Sequence, residues 1–290
     1  MTSRLPDFKV AAELSQRRLG PDGATRLLDA GREWDLAPVL EGGGAVVFPH
    51  VSLEVCGRHA AAAVHACLDS GAGRVLVLGV LHALTDELEG ARVRVAGGGV
   101  PSAEDSWGIQ GPGIPGRADW TREFSLSNFL FLLHEETTRR GVAGPELLVR
   151  YPYLAGGRPD ALPGIVELER AARDSVVVAT VDPFHHGVGY GDPVAETLTP
   201  EGGGLELARR RIDEGLSLLR AGDHAGYNRH CVEAKSDARD VGQVLRHLLG
   251  PVEGHVLDLV ADDMSAAYDA PPPTWVAGAL IELIPVRDAP

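Results

Sequence analysis

Histidines stand at the ends of three apolar runs in this sequence, in positions where their chemistry could be used. They are His50, His82 and the adjacent pair His185 and His186. Short β-branched runs bounded by glycine, proline or charge are typical of buried strands in a mainly parallel sheet, and the carboxyl ends of such strands meet at one edge. Histidine is the commonest metal ligand and a frequent general base. The pattern therefore predicts a metal-centred site at that edge.

Each of these histidines taken alone also has a structural explanation, because a histidine beside an apolar strand is usually a hydrogen-bonded core residue. Histidines at the same place in three strands favour a functional site. Adjacent residues of an extended segment point to opposite faces, so only one of His185 and His186 should face the metal. We expect this residue to be His185, with His186 as the alternative.

The elements that position these residues alternate between helix and strand. Residues 8–30 have the pattern of one or two amphipathic helices, broken at residues 20–23, after which a strand leads to His50. Ser52 can cap the next helix, which leads to the strand before His82. This βαβ unit places His50 and His82 at the same sheet edge.

The rest of the chain continues the alternation. Helices are predicted at residues 124–141, 164–173, 205–221 and 227–249, and strands at residues 146–151, 255–260 and 274–283. Residues 83–121 form a long turn-rich segment with Trp107 and Trp120, which we expect to cover the cleft; a surface excursion held by its tryptophans is the alternative. We predict one α/β domain over residues 1–290, with a mostly parallel mixed central sheet flanked by helices and an N-terminal helical extension over residues 1–40.

Composition excludes several classes of partner. The 41 acidic residues outnumber the 27 basic ones, which gives a formal net charge of −14, and no run of lysine and arginine stands out. Nucleic acids and anionic membrane surfaces are therefore not expected partners. The N-terminus lacks the apolar core of a secretion signal, and the three cysteines form no CxxC pair. We expect a cytoplasmic protein with reduced thiols. Whether it forms a homo-oligomer stays open.

Four short motifs follow one another along the chain. They are Pro49-His50, Leu78-Gly79-Val80-Leu81-His82, Thr180-Val181-Asp182-Pro183-Phe184-His185-His186-Gly187 and Trp275-Val276-Ala277-Gly278-Ala279-Leu280. Their order and spacing resemble the Memo family, which shares its fold with class III extradiol ring-cleaving dioxygenases. The resemblance runs from about Gly43 to Ile284. It implies the class III extradiol dioxygenase fold for this chain.

The resemblance also implies roles for particular residues. His50 and His82 match the two histidines that both branches of the superfamily place around a divalent metal, which is iron in the dioxygenases. His185 matches a pocket histidine that acts as acid and base in the ring-cleaving branch. Asp182 stands at the strand end where the family has a Ser-Ser-Asp-Phe type of sequence. It is counted here as a candidate catalytic residue.

This sequence departs from the family pattern at two places. Residues 123–127 fall where Memo proteins carry Glu-His-Ser-Leu-Glu, but here Phe124 replaces the histidine and Ser127 the second glutamate. This part of the pocket is therefore less polar than in the family. The family's third metal-site residue, a cysteine or a glutamate, falls near Ser236, and Cys231 lies more than a helical turn away.

Three acidic residues near this position are substitutes for the missing ligand. Glu233, Asp237 and Asp240 lie at i, i+4 and i+7, so they would share one face of the predicted helix, and Asp237 is nearest the motif position. The alternative is that they are solvated acids beside Lys235 and Arg239.

These residues together predict a non-haem metal-dependent oxygenase, with Fe(II) as the expected metal and Cu or Zn as alternatives. Its partners would be dioxygen and a small aromatic or chelating substrate, such as a catechol or an aminophenol. Trp107, Phe124 and Tyr190 are the candidate substrate contacts. Two other functions stay open: a non-catalytic Memo-like protein that binds metal or ligand, and a metal-dependent hydrolase.

Overall fold

The computed structural model describes residues 7–82, 86–102, 107–114 and 122–286. Its helices are α1 (Phe8–Gly31), α2 (Ala37–Glu41), α3 (Leu53–Asp69), α4 (Asp86–Ala96), α5 (Ser127–Arg140), α6 (Ile165–Arg173), α7 (Leu205–Ala221), α8 (His224–Glu233) and α9 (Arg239–Leu249). Its strands are β1 (Ala45–Phe48), β2 (Arg74–Leu78), β3 (Gly108–Gln110), β4 (Glu146–Tyr153), β5 (Val176–Thr180), β6 (Phe184–Gly187), β7 (Val252–Asp263) and β8 (Thr274–Pro285).

The strands form one mixed sheet in the order β3-β4-β2-β5-β1-β8-β6, with β7 paired to β8. The four adjacent strands β4, β2, β5 and β1 are parallel to one another, whereas β3, β6, β7 and β8 join through antiparallel ladders. The α/β class and the helix-flanked mixed sheet are thus confirmed. The parallel part is narrower than predicted, because the C-terminal strands add antiparallel pairs.

Both faces of the central strands are buried under helices. In β1, Val46 and Phe48 pack in a core shared with α1, α3 and α5, whereas Ala45 and Val47 belong to a second core shared with α6, α7 and α9. Since successive side chains of a strand point to opposite faces, a strand buried on both sides must be apolar at every position. This requirement explains the continuous apolar runs that predicted the strands.

The carboxyl ends of β1, β5 and β2 lie side by side, because β5 sits between the two strands that α3 connects. His50 follows β1 by two residues, His82 follows β2 by four, and Asp182 follows β5 by two. The third strand therefore ends in a carboxylate. The prediction that His185 ends this strand is wrong, since Pro183 offers no N–H to continue the ladder and His185 belongs to β6.

Two helical predictions had different outcomes. The break in the N-terminal helix is confirmed, because Gly20 within α1 has φ 61° and ψ −179°. The single helix predicted over residues 227–249 is wrong, since α8 ends at Glu233 and Lys235 adopts φ 53° before α9 begins. A positive φ in a non-glycine residue interrupts a right-handed helix.

Among the described helices, none is long and apolar enough to span a bilayer.

Candidate metal centre

Five side chains converge at the carboxyl edge formed by β1, β5 and β2. One potential ligand atom from each of His50, His82 and Asp237 lies within 4.8 Å of the other two, and the same holds for Asp182, His185 and Asp237. The structure therefore brings together five of the residues that the sequence singled out. We call these five residues the metal-centre cluster.

The hydrogen bonds of Thr180 fix which nitrogen of His50 carries the proton. The Thr180 hydroxyl donates to the Phe48 carbonyl oxygen at 2.9 Å, so its oxygen accepts from Nδ1–H of His50 at 3.1 Å. In neutral His50, the lone pair is then on Nε2. A hydrogen bond that fixes one imidazole nitrogen in this way orients the other for metal binding.

The free nitrogen of His50 faces two carboxylates. Its Nε2 lies 3.2 Å from Oδ2 of Asp237 and 3.4 Å from Oδ2 of Asp182. A lone pair opposed to two carboxylate oxygens needs a positive charge between them, either a proton or a metal ion. Burial lowers the pKa of His50, but Asp182 and Asp237 outweigh this effect and raise it to about 9. Burial raises the pKa of Asp182 to about 6.

Asp237 reaches the cluster from the turn between α8 and α9. Its Oδ1 accepts the backbone N–H of Asp182 at 2.7 Å, which leaves Oδ2 at 3.2 Å from Nε2 of His50 and 3.9 Å from Nε2 of His82. Although burial opposes ionisation, His50 and the other nearby histidines lower the pKa of Asp237. The residue is the carboxylate that the sequence favoured, but it is placed by a turn and not by a helix face.

The other two acids of the predicted helix face lie outside the cluster. Glu233 is exposed at the end of α8. Asp240, in the first turn of α9, accepts the backbone N–H of Ala155 at 2.8 Å and pairs with Arg239 at 3.2 Å. The prediction of one shared helix face was wrong, because the turn after Glu233 changes the direction of the chain.

Glu123 holds His82 in place. Its Oε2 accepts the backbone N–H of His82 at 2.7 Å, and its Oε1 accepts those of Phe124 and Ser125 at 2.9 Å each. Burial raises the pKa of this carboxyl, but the neighbouring His82 and the backbone donors together lower it to about 2. Glu123 is therefore a charged anchor between the loop after β2 and the start of α5.

His185 and His186 occupy opposite faces of β6, as expected for adjacent strand residues. Burial lowers the pKa of His185 to about 4, and its ring packs on Tyr190 with 4.9 Å between ring centroids. His186 has Nδ1 at 3.0 Å from Asp192, and its Nε2 accepts the backbone N–H of Leu198 at 2.9 Å. His185 therefore joins the cluster, whereas His186, the alternative proton-transfer residue, has a structural role.

Two cavities meet at the cluster. The first cavity, of about 350 Å³, is lined by cluster residues together with Phe8, Phe124 and Tyr268. The second cavity, of about 450 Å³, lies towards α4 and α9 and shares part of the same cluster. Tyr190 lines both cavities. Phe124 and Tyr190 thus lie where substrate contacts were predicted.

The aromatic cover of the first cavity comes from an unexpected element. Phe8 at the start of α1 has its ring centroid 5.3 Å from that of Phe124 and 6.0 Å from that of Tyr268. Trp107 lines neither cavity at the cluster and instead borders a separate space of about 110 Å³ beside Leu154. Its predicted contact with substrate is therefore not supported. Trp120 lies outside the described residues.

The cluster fits a divalent metal ion on two observations. Nδ1 of His185 is buried and has no hydrogen-bond partner among the described residues. Oδ2 of Asp237 faces only imidazole nitrogens, Nε2 of His50 at 3.2 Å and Nε2 of His82 at 3.9 Å. Buried polar atoms of this kind are rare unless a proton, water or ion supplies the partner. Two imidazoles and one carboxylate are also a donor set that divalent iron, copper and zinc accept.

The chain matches no protein-family model, and comparison with curated proteins gives no match. Support for the fold and for the metal-centre cluster therefore comes from the geometry of this chain. Four residues of this geometry were not singled out by the sequence as site residues: Phe8, Glu123, Thr180 and Tyr268. Glu123 and Thr180 lie within the motifs quoted above, so the motifs pointed to them. No motif contains Phe8 or Tyr268.

Proposed function

We propose that this protein is a non-haem Fe(II)-dependent oxygenase that acts on a small aromatic, chelating substrate. The observation that carries the proposal is the placement of His50, His82 and Asp237 within 4.8 Å of one another beside two cavities. Two histidines and one carboxylate are the donor set of a large group of non-haem iron oxygenases. The motifs quoted above support a relationship to the Memo family and class III extradiol dioxygenases. We place the reaction in the cytoplasm, where the cysteines stay reduced.

The ligands would be Nε2 of His50, a ring nitrogen of His82 and Oδ2 of Asp237. When bound, Fe(II) supplies a Lewis-acidic and redox-active centre with positions open to substrate and dioxygen. Thr180 keeps the proton of neutral His50 on Nδ1, so a metal that displaces the second proton finds the lone pair on Nε2, and Glu123 fixes the backbone of His82. Oδ1 of Asp237 accepts the N–H of Asp182, so a hydrogen bond holds the ring of His50, the backbone of His82 and the carboxylate of Asp237.

His185 is the residue that moves a proton. Because burial lowers its pKa to about 4, its imidazole is neutral at physiological pH and can accept a proton from a substrate hydroxyl. Its buried Nδ1 has no partner in the described part of the chain. The ring of Tyr190 packs against His185 and limits its rotation. His185 can later return the proton to a reaction intermediate.

Aromatic rings form one wall beside the cluster. The ring centroid of Phe124 lies 4.6 Å from that of His82 and 6.0 Å from that of His50. Phe8 and Tyr268 continue this wall across the first cavity. An apolar wall beside the reacting atoms strengthens electrostatic interactions and limits side reactions with water.

Anaerobic purification, elemental analysis and oxygen-consumption assays with catechol and ortho-aminophenol test this function. We expect about one iron per chain after loading, with oxygen uptake that depends on substrate, and loss of both in His50→Ala. Glu206→Gln, which removes an exposed acid of α7, should change neither. Iron loading without substrate-dependent uptake would contradict the oxygenase proposal and favour a metal-binding protein. Absence of metal binding would contradict both functions.

A further inference from the structure

The two cavities that meet at the cluster differ in charge. Beyond the cluster, the first cavity is lined by Arg18 and three acids, which are Glu54, Asp262 and Asp263. The second cavity has three cations and two acids: Arg92, Lys235, Arg239, Glu89 and Asp240. The first cavity is therefore acidic at its rim, whereas the second carries a slight positive excess. A positively charged group is favoured in the first cavity and an anionic group is disfavoured there.

Asp262 is the acid of the first cavity best placed to act on a ligand. Its Oδ2 accepts the backbone N–H of Ser52 at 2.9 Å, and Ser52 is the N-cap residue of α3. A helix N-terminus is a favourable position for a negatively charged side chain. Among the ion pairs of the described residues, none contains Asp262, whereas Arg18 pairs with Glu54 at 3.5 Å. The carboxylate of Asp262 thus faces the cavity without a protein cation.

Ser15 provides a second polar atom in the same cavity. This residue of α1 is only 5% exposed, and its buried hydroxyl has no hydrogen-bond partner within the described segments. Ser15 lines the first cavity with Phe8. A buried hydroxyl without a partner is costly unless a ligand or water supplies the hydrogen bond. Its oxygen can accept a hydrogen bond from an N–H group.

Aromatic rings complete the environment. Phe8 and Tyr268 line the first cavity, with 6.0 Å between their ring centroids. The faces of aromatic rings attract organic cations, and the attraction strengthens where water is excluded. A carboxylate, a hydroxyl acceptor and aromatic rings together are suited to a protonated amine.

We propose that the first cavity binds a substrate whose end remote from the metal centre carries a protonated amine. Asp262 pairs with the ammonium group, Ser15 accepts one of its hydrogens, and Phe8 and Tyr268 enclose the carbon chain. This inference deepens the proposed function, on which it rests for the chelating end of the substrate. It defines the substrate class as an aromatic chelator with an amine side chain.

Isothermal titration with two matched catechols tests the proposal. One catechol carries an aminoethyl side chain and the other an ethyl group, and the protein is loaded with zinc so that binding is measured without oxidation. We expect the amine to bind roughly 5- to 20-fold more tightly, the range of a partly exposed charged hydrogen bond. Asp262→Asn keeps an acceptor for Ser52 but removes the charge, so the preference should disappear. Glu206→Gln removes an exposed acid of α7, outside the first cavity, and should keep the preference for the amine.

A second variant keeps the test independent of folding defects in Asp262→Asn. Ser15→Ala should reduce the preference for the amine about 2- to 5-fold, since a neutral hydrogen bond is weaker than a charged one. Equal affinity for the two catechols in the unaltered protein would overturn the proposal, as would an unchanged preference in a folded Asp262→Asn protein.

A second pair of probes separates this proposal from the metal-centre proposal. Phenethylamine and phenethyl alcohol have no chelating hydroxyl pair, so they can be titrated into metal-free protein. Preference for the amine there, without catechol binding to the zinc-loaded protein, would support the amine site and contradict the metal-centre function. Catechol binding to the zinc-loaded protein with no amine preference in either pair would contradict the amine site and support the metal-centre function.

Discussion

Two groups of histidine and carboxylate, one buried and one partly buried, lie close together in this molecule and differ in how their hydrogen bonds are completed. Around His186, each polar atom has a partner. Nδ1 faces Asp192 at 3.0 Å, Nε2 accepts from Leu198, and Asp192 also pairs with Lys235 and accepts the N–H of Gly187. This group ties β6 to the loop that follows it.

The metal-centre cluster has the opposite character. Nδ1 of His185 is buried without a hydrogen-bond partner in the described residues, and Oδ2 of Asp237 faces only the imidazole nitrogens of His50 and His82. The free nitrogen of His50 faces two carboxylates. Because unsatisfied buried polar groups are costly, they persist where a ligand supplies the missing interaction. The two groups therefore contain the same residue types but differ in how completely their polar atoms are hydrogen-bonded.

Paired substitutions of the two carboxylates provide the sharpest test of this contrast. Asp237→Asn keeps an oxygen for the N–H of Asp182 but removes the ligand charge, so zinc affinity should fall by about 10³-fold. Asp192→Asn should retain zinc affinity within a factor of about two, while the loss of its pair with Lys235 lowers the free energy of unfolding by about 1 kcal/mol. Competition with a chelator and thermal unfolding measure the two effects. Similar zinc loss in both variants would contradict the contrast.

The two adjacent histidines offer the next largest effect. His185→Gln should keep the metal but lower substrate-dependent oxygen uptake by about 10²-fold or more, because it removes the proton acceptor. His186→Gln should leave uptake within a factor of about three and lower the unfolding temperature, since it loses a buried hydrogen-bond pair. Elemental analysis of both variants controls for metal content. The assignment fails if His186→Gln is the variant that loses uptake.

The central part of the fold could be predicted from the sequence because it depends on local patterns. The apolar runs before His50 and His82 are buried on both faces, and that condition requires continuous hydrophobicity. Helix α7 begins and ends at the predicted residues, Leu205 and Ala221. The convergence of His50 and His82 follows from the parallel direction of β1 and β2, which a βαβ unit imposes.

The parts that could not be predicted depend on contacts between distant segments. Asp237 reaches the cluster because Lys235 adopts a positive φ, a conformation that no residue pattern in this turn announces. Phe8 reaches Tyr268 across 260 positions of sequence, a contact set by tertiary packing. The hydrogen bond between His50 and Thr180 likewise depends on β5 lying beside β1.

Removal of the Thr180 hydroxyl tests how the tautomer of His50 is fixed. Thr180→Val keeps the shape of the side chain but removes the acceptor for Nδ1–H, so zinc affinity should fall about 10- to 100-fold. Thr274→Val is the matched control, because Thr274 is also fully buried and its hydroxyl also makes two hydrogen bonds, to Gly189 and Pro271. Both variants should lose stability, but only Thr180→Val should lose metal affinity. Equal zinc affinity in the two variants would exclude the orienting role.

The pH dependence of zinc binding is the smallest expected effect and bears on the charge between His50 and its carboxylates. With a pKa of about 9, His50 holds a proton in the metal-free protein at neutral pH, and zinc must displace it. Affinity should therefore rise about tenfold from pH 7 to pH 8 and level off above about 9. His186, whose pKa burial lowers, should not affect this slope.

The same proton also stabilises the metal-free protein. The folded pKa of His50 lies above the ordinary value of 6.5, so its contribution is complete below that pH and is lost as pH rises through about 9. Asp182→Asn removes one of the charges that raise this pKa, so the levelling of zinc affinity should move to lower pH. Chelator competition between pH 6 and 10 measures both curves. A flat zinc affinity from pH 7 to 9 in the unaltered protein would mean that no proton is displaced, and the positive charge between the carboxylates would then need another source.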